Sequence, residues 1–237
     1  MKKYIALFDW DKTVRRNYSF ATWLQILIDK NIIDKSQKDF DESNVKDCLA
    51  GKINHDEMSR RFVKNLREHL EGVEVQSTDQ VLAEYKQKDS EGIYAIMREK
   101  IFPYLVRNNI KVIIVSGGLR EAIEVYKKEL LIDEIYAIDF KIQDGKHTGE
   151  MVLNIGESKN KQKVIDEIKS NNPNSEILFG FGDSVSDIPI LSSSKCGFIN
   201  NSNRFLDNAN MHYFDFSDIE SGDKIIKIMS ETIKMLP

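Results

Sequence analysis

Cysteine is nearly missing from this sequence. The two that occur, Cys48 and Cys196, stand far apart and in no metal-ligand spacing. That excludes a disulfide framework and points to a reducing compartment. Long apolar runs are missing too: none approaches the roughly 20 residues of a membrane-crossing helix. The N-terminal "MKKYIALFDWDKT" lacks the longer apolar core and small-residue cleavage site of a signal peptide. A cytoplasmic protein is therefore expected. There is no excess of charge of one sign. A net charge of −4 gives no general reason to expect nucleic acid or an acidic membrane surface as partner. Proline is rare, and no Pro/Gly linker, repeat or low-complexity stretch breaks the chain. What is left is an ordinary soluble balance, 41% apolar and 30% charged in 237 residues. That length suits one large domain, or one domain carrying an insertion.

Short apolar runs recur through this chain: "YIALF" (4–8), "VIIV" (112–115), "IYAIDF" (135–140), "ILFGF" (177–181), "GFI" (197–199) and "HYFDF" (212–216). Several are continuous enough to be strands buried on both faces. Helical patterns lie between them. In "NKQKVIDEIKS", Val164, Ile165 and Ile168 share one face, and the C-terminal "GDKIIKIMSETIKML" is a further helix pattern. Alternating strands and helices predict an α/β fold with a mainly parallel sheet. Residues 16–90 break the rhythm with amphipathic helices and no convincing strand. That stretch exceeds what one crossover needs. It reads as a helical cap inserted after the first strand, with 1–15 and 91–237 forming the α/β core. Phe20, Trp23 and Leu24 fall at helical spacing as cap core, with Phe20 and Trp23 also candidates to face a cleft. His55 and His69, on cap helices with no second ligand nearby, read as surface residues, and His147 falls in a hairpin turn.

Open parallel sheets bind ligands at the carboxyl ends of their strands. Three strand ends here carry reactive groups. "LFDWDKTV" brings Asp9, Asp11 and Thr13; "VIIVSGG" brings Ser116 and Gly117; "GFGDSVSD" brings Asp183 and Asp187. A lysine cluster, "SKNKQK", opens the helix before the last of these. Taken singly, each stretch has a bland reading as a turn, a loop, a capping box or a solvated face. Together they place four carboxylates at one sheet edge, where they repel one another in a dry cleft unless a divalent cation sits among them. An oxygen-only ligand set points to Mg²⁺. A cation, a lysine and free backbone N–H groups make a site for an oxyanion, most naturally phosphate.

In content and order, "FDWDKTV", "VSGG", the lysine cluster and "GFGDSVSD" resemble the four motifs of the haloacid dehalogenase superfamily, and the helical insertion is similar to its cap. "VSGGLREAIEVYKKELLIDEIYAIDFKIQDGKHTGE" is similar to the phosphoserine-phosphatase-like subgroup. The resemblance implies a Rossmann-like core and a Mg²⁺-dependent phosphatase acting on a small-molecule phosphomonoester. It implies Asp9 as nucleophile and Asp11 as general acid and base. The metal would take Asp9, the Asp11 backbone carbonyl and Asp183, with Asp187 and Thr13 in support. Ser116, Gly117 and a lysine would hold the phosphate; Lys159, Lys161 and Lys163 compete, and the spacing to the apolar positions favours Lys161, then Lys163.

Two departures put phosphoserine itself in doubt. No acidic residue follows the first motif, where "VRRNYSFATW" stands, and "GDSVSD" is closer to the phosphatase of the methionine-salvage pathway. Arg15 and Arg16 read either as a solvated pair or as contacts to a second anionic group of the substrate. A phosphotransferase or phosphomutase using the same intermediate is the rival enzyme reading. A dehalogenase does not need Asp11, and an inert phosphate-binding module more often loses one of these residues. The substrate and the oligomeric state are not legible.

Overall fold

The computed structural model describes residues 2–89, 91–201, 205–206 and 208–236, without the side chains at 55, 76–78 and 158. Among these residues the sheet has seven strands: β1 (Tyr4–Phe8), β2 (Ile110–Leu119), β3 (Glu134–Gln143), β4 (Lys146–Leu153), β5 (Glu176–Gly182), β6 (Cys196–Ile199) and β7 (Met211–Tyr213). Their spatial order is β4-β3-β2-β1-β5-β6-β7, parallel except for the β3–β4 hairpin. The hairpin turns on Asp144 and Gly145, both at positive φ (51° and 76°), the conformation a two-residue hairpin loop requires. His147 is therefore not in the turn. It lies in β4, buried at 1% exposure, 3.6 Å from Glu121.

The continuous apolar runs are explained by two cores, one on each sheet face. Alternation along β1 sends Ala6 and Phe8 to one and Ile5 and Leu7 to the other. On the first face Phe8 stacks on Phe181 at 4.2 Å, and Phe181 on Phe198 at 4.8 Å. On the second, Ile5, Leu7, Ile113 and Val115 pack with Val164, Ile165 and Ile168 of α7 (Ser158–Asn171), the helix face read from the sequence. Burying such side chains contributes roughly 1.5–3 kcal/mol each.

Four helices follow β1: α1 (Ser19–Asp29), α2 (Ser36–Leu49), α3 (His55–Leu70) and α4 (Val75–Lys88). The chain then passes through a π-type turn at Ile96–Ile101 into α5 (Phe102–Arg107), which leads to β2. Helix α6 (Arg120–Lys127) follows β2, α8 (Ile188–Ser192) follows β5, and α9 (Ser221–Lys234) ends the chain. Trp23 and Leu24 are buried in the apolar core at 1% and 2% exposure. Helices α1 and α4 pack together and onto α6, while α2 and α3 pack together and α3 reaches β4. The outgoing and returning chains run side by side: Arg16 N–H donates to Gly92 O at 2.8 Å, and Tyr94 N–H to Val14 O at 3.0 Å.

Candidate active site

Strand β1 lies between β2 and β5, so its end meets theirs. Asp9 N–H donates to Phe181 O at 3.0 Å, extending the β1–β5 ladder to the site. Trp10, fully buried, packs on Tyr126 at 5.7 Å. Its neighbours Asp9 and Asp11 both line a cavity of about 130 Å³ beyond the strand ends. A strand ends in two carboxylates here because a buried indole separates them and points the other way.

Asp9, Asp183 and Asp187 each bring a carboxylate oxygen within 4.8 Å of the others. Lys161, 4% exposed on the first turn of α7, donates to Asp9 Oδ1 at 2.8 Å and to Asp187 Oδ1 at 2.6 Å. Lys159 and Lys163 are exposed, and Lys159 lies 3.3 Å from Glu157. Asp187 Oδ2 accepts from the N–H groups of Asp183 and Ser184, both at 3.0 Å, and from the Ser184 hydroxyl at 3.1 Å. Burial alone would raise the Asp187 pKa, but Lys161 and these donors outweigh it and lower it. The other two carboxylates have less support: Lys161 bonds Asp9, and Asp183 feels only the charges of Lys12 and Lys161, and in neither case does this outweigh burial. Burial, with Asp187 adding repulsion in each case, pushes Asp9 up to about 7 and Asp183 up to about 9. Buried carboxyls held this reluctantly ionised, with oxygen the only donor type, fit a hard divalent cation.

Asp11 lines the same cavity but is held separately. Its oxygens accept from Ser19 N–H at 2.7 Å and Ser19 Oγ at 3.1 Å, at the start of α1. Burial raises its pKa to about 6 against the pull of Arg15 and Ser19, a value suited to giving and taking a proton near neutrality.

Ser116 and Gly117 do not end β2, which runs on to Leu119. They lie where the β2–β3 register shifts, between Val115 and Leu119. Such a bulge releases backbone groups from the ladder. Ser116 Oγ accepts from Gly118 N–H at 3.0 Å, which leaves the hydroxyl proton to donate elsewhere. Thr13 is fully buried and is not among the cavity-lining residues.

Arg15 and Arg16 are absent from the cavity wall. Arg15 is buried at 3% exposure and pairs with Asp89, its Nε donating at 3.0 Å, while Tyr126 OH donates to the same carboxylate at 2.8 Å. Arg16 is exposed, 5.1 Å from the centre of the Tyr94 ring. Phe20 does line the cavity. The side chain of His55 lies outside the described residues, and His69 is half-buried, its Nδ1 2.9 Å from Asn65 O.

Three features escape the sequence reading. Asn200 donates to Lys12 O at 2.6 Å and Asn201 to Asp183 O at 2.7 Å, so the end of β6 ties down both carboxylate loops. Two asparagines following an apolar run at the same sheet edge were the available signal. Lys12 itself holds φ at 61°, a left-handed conformation, with its ammonium on Tyr18 OH at 2.9 Å. A Cβ on Gly118 would come within 3.3 Å of Asp11 Oδ2 and Ser116 Oγ and 3.2 Å of Ser19 Oγ, so any other residue there would press on the side chains that hold Asp11.

The sequence pattern of haloacid dehalogenase-like hydrolases matches residues 6–192. The chain is 23% identical over 194 residues to a phosphoserine phosphatase of Methanocaldococcus jannaschii, covering 81% of this chain and 83% of that one. In structure it resembles a haloacid dehalogenase family hydrolase of Salmonella enterica serovar Typhi: TM-score 0.59, 18% identity, 83% of this chain and 62% of that one. It also resembles a probable phosphoserine phosphatase of Vibrio cholerae: TM-score 0.64, 15% identity, 99% of this chain and 67% of that one. The chain belongs to the haloacid dehalogenase-like hydrolase family. It is an enzyme, and its class of reaction is hydrolysis.

Proposed function

We propose that the protein is a Mg²⁺-dependent phosphatase that hydrolyses a small phosphomonoester through an aspartyl-phosphate on Asp9. The observation that carries this reading is the meeting of Asp9, Asp183, Asp187 and Lys161 beside a separately held Asp11. Asp9, the Asp11 carbonyl and Asp183 would hold Mg²⁺, which when bound offsets the repulsion between the Asp9 carboxylate and an incoming phosphate dianion.

An Asp9 oxygen attacks phosphorus, and the bond from phosphorus to the leaving oxygen breaks. Asp11 gives its proton to that oxygen. In the second step water attacks the phosphorus, the bond to Asp9 breaks, and Asp11 takes the proton from the water. The Ser116 hydroxyl, the Gly117 N–H and Lys161 hold the non-bridging oxygens as charge shifts onto them. Residues 16–90 act as the lid over this centre, supplying the wall around the leaving group while the core holds the phosphoryl end.

Phosphate release from small esters with Mg²⁺, phosphoserine and phenyl phosphate among them, tests the reaction. Rapid-quench labelling tests the intermediate: Asp9 should carry the phosphoryl group, and Asp9→Asn should carry none and turn over nothing. Full turnover by Asp9→Asn, or with the metal chelated, would overturn the mechanism.

A further inference from the structure

Helix α2 turns an unexpected face inward. Its buried side chains, Gln37, Asp41 and Asn44, fall one helical turn apart, where an apolar stripe is the rule. Each is at most 4% exposed. Gln37 Nε2 donates to Asp41 Oδ2 at 2.8 Å, and Asn44 Nδ2 to Met58 O on α3 at 2.7 Å. Those bonds use the donors and leave Gln37 Oε1, Asp41 Oδ1 and Asn44 Oδ1 without partners among the described residues. All three are acceptors. On the facing helix, the Asn65 amide lies beside Asp41 and, with His69, favours its ionised form against burial; the Asn44 oxygen has no such donor. Buried acceptors left bare are costly, more so when charged, so such a face marks a place where a donor is expected.

Asp41 and Asn44 line the cavity that holds Asp9 and Asp11. Around them the wall is largely apolar, with Phe20, Val45, Met58 and Phe62, the two rings 4.6 Å apart, and it carries the hydroxyls of Tyr18 and Ser59. The lining cations are Lys12 and Lys161, both at the strand ends and already bonded, and no arginine is among the lining residues. The lid end of the cavity therefore offers acceptors, one carboxylate, hydroxyls and aromatic faces, and no cation to receive an anion.

We infer that Asp41 and Asn44 form the leaving-group subsite and select an ammonium, so that the substrate is the phosphate monoester of a small amino alcohol bearing no carboxylate. This rests on the phosphatase reading above. An ammonium brings donors for both oxygens and a countercharge that no lysine or arginine gives Asp41, and it is drawn to aromatic faces. A hydroxyl meets the same oxygens without the charge. A carboxylate is repelled by both.

The test compares 2-aminoethyl, 2-hydroxyethyl and 2-carboxyethyl phosphate with Mg²⁺, phenyl phosphate being the reference for activity. Calorimetry in parallel measures binding of the non-hydrolysable 3-aminopropyl- and 3-hydroxypropylphosphonates. The amino compound should exceed the hydroxy compound by about tenfold or more in both kcat/KM and affinity, as one charged hydrogen bond allows, with the carboxy ester weakest. Asp41→Asn should bring both ratios to within about twofold of one. Asp39→Asn, on the exposed side of the same helix, should leave them unchanged. Equal handling of amino and hydroxy compounds by the parent protein overturns the inference, as does a preference that survives Asp41→Asn. If phenyl phosphate is hydrolysed and no preference is found, this inference alone fails. If no ester is hydrolysed, the phosphatase reading fails, and the phosphonate ratio still decides the subsite.

Discussion

Asp11 is held by Ser19 rather than by the cluster around Asp9, and the separation has a measurable consequence. With its pKa at about 6, its protonated fraction falls as pH rises through that value, so protonation of the leaving group weakens above it. For an alkyl phosphate, whose leaving oxygen needs the proton, kcat should decline above about pH 6. For an aryl phosphate with an acidic leaving group the decline should be shallower. Asp11→Asn should lower kcat on the alkyl ester about 10²–10⁴-fold and remove this difference between the profiles. Mg²⁺ affinity, measured by calorimetry, should move far less, because the amide leaves the backbone carbonyl in place.

Among the elements, the two chains that join the helical segment to the core carry a buried clasp. Arg15 and Asp89 are each 4% exposed at the side chain. Arg15→Ala would strand the Asp89 carboxylate in the interior, a loss of about 3–5 kcal/mol for a broken buried pair. Urea denaturation should show that loss. The substrate profile should not change, since Arg15 does not reach the cavity. The pattern "VRR" after a reactive strand end suggested an anion contact or a solvated pair; only the fold reveals a partner 74 residues on. Sequence spacing was more informative for Lys161, because the apolar positions of α7 fix which side of the helix meets the sheet. The strands most legible as continuous apolar runs, β1, β5 and β6, are buried on both faces. By contrast β4, at the sheet edge, alternates between buried and exposed positions and reads as little more than a turn. Asp41 and Asn44 were illegible for the opposite reason: polar residues on a buried helix face break the pattern by which a buried face is recognised.

Helix α6 gives a second prediction at this scale. Burial, with Asp139 and then Asp79 adding repulsion, raises the Glu121 pKa to about 7. A carboxyl raised in the folded state stabilises fully below its unfolded pKa, and that contribution is lost as pH climbs through the folded value. Glu121→Gln cannot ionise. Its melting temperature relative to the parent should therefore rise between pH 5 and pH 8, with the variant the more stable at pH 8.

For the molecule as a whole, the proposed Mg²⁺ site would couple metal, protons and stability through the carboxylates at the sheet edge. Asp9 and Asp183, raised to about 7 and about 9, make the metal-free fold less stable as pH rises through those values. A bound cation reverses that cost and competes with protons for the same oxygens. The rise in melting temperature on adding Mg²⁺ should thus be larger at pH 8.5 than at pH 6. At a hundredfold excess over Kd, ligand linkage contributes about 2.7 kcal/mol. Scanning calorimetry with and without chelator at the two pH values measures it, and a pH-independent increment would place the cation elsewhere.

The side-by-side passage of the chain at Arg16–Gly92 and Val14–Tyr94 has an evolutionary meaning. A segment that departs and returns through adjacent points is a cassette: its length and sequence can be exchanged without lengthening any connection in the sheet. Asp9, Lys161 and Asp183 all lie outside that cassette, whereas Asp41 and Asn44 lie inside it. Recombination at this one junction leaves Asp9, Lys161 and Asp183 in place, while Asp11 keeps its support only where the incoming segment again brings a donor to the position of Ser19.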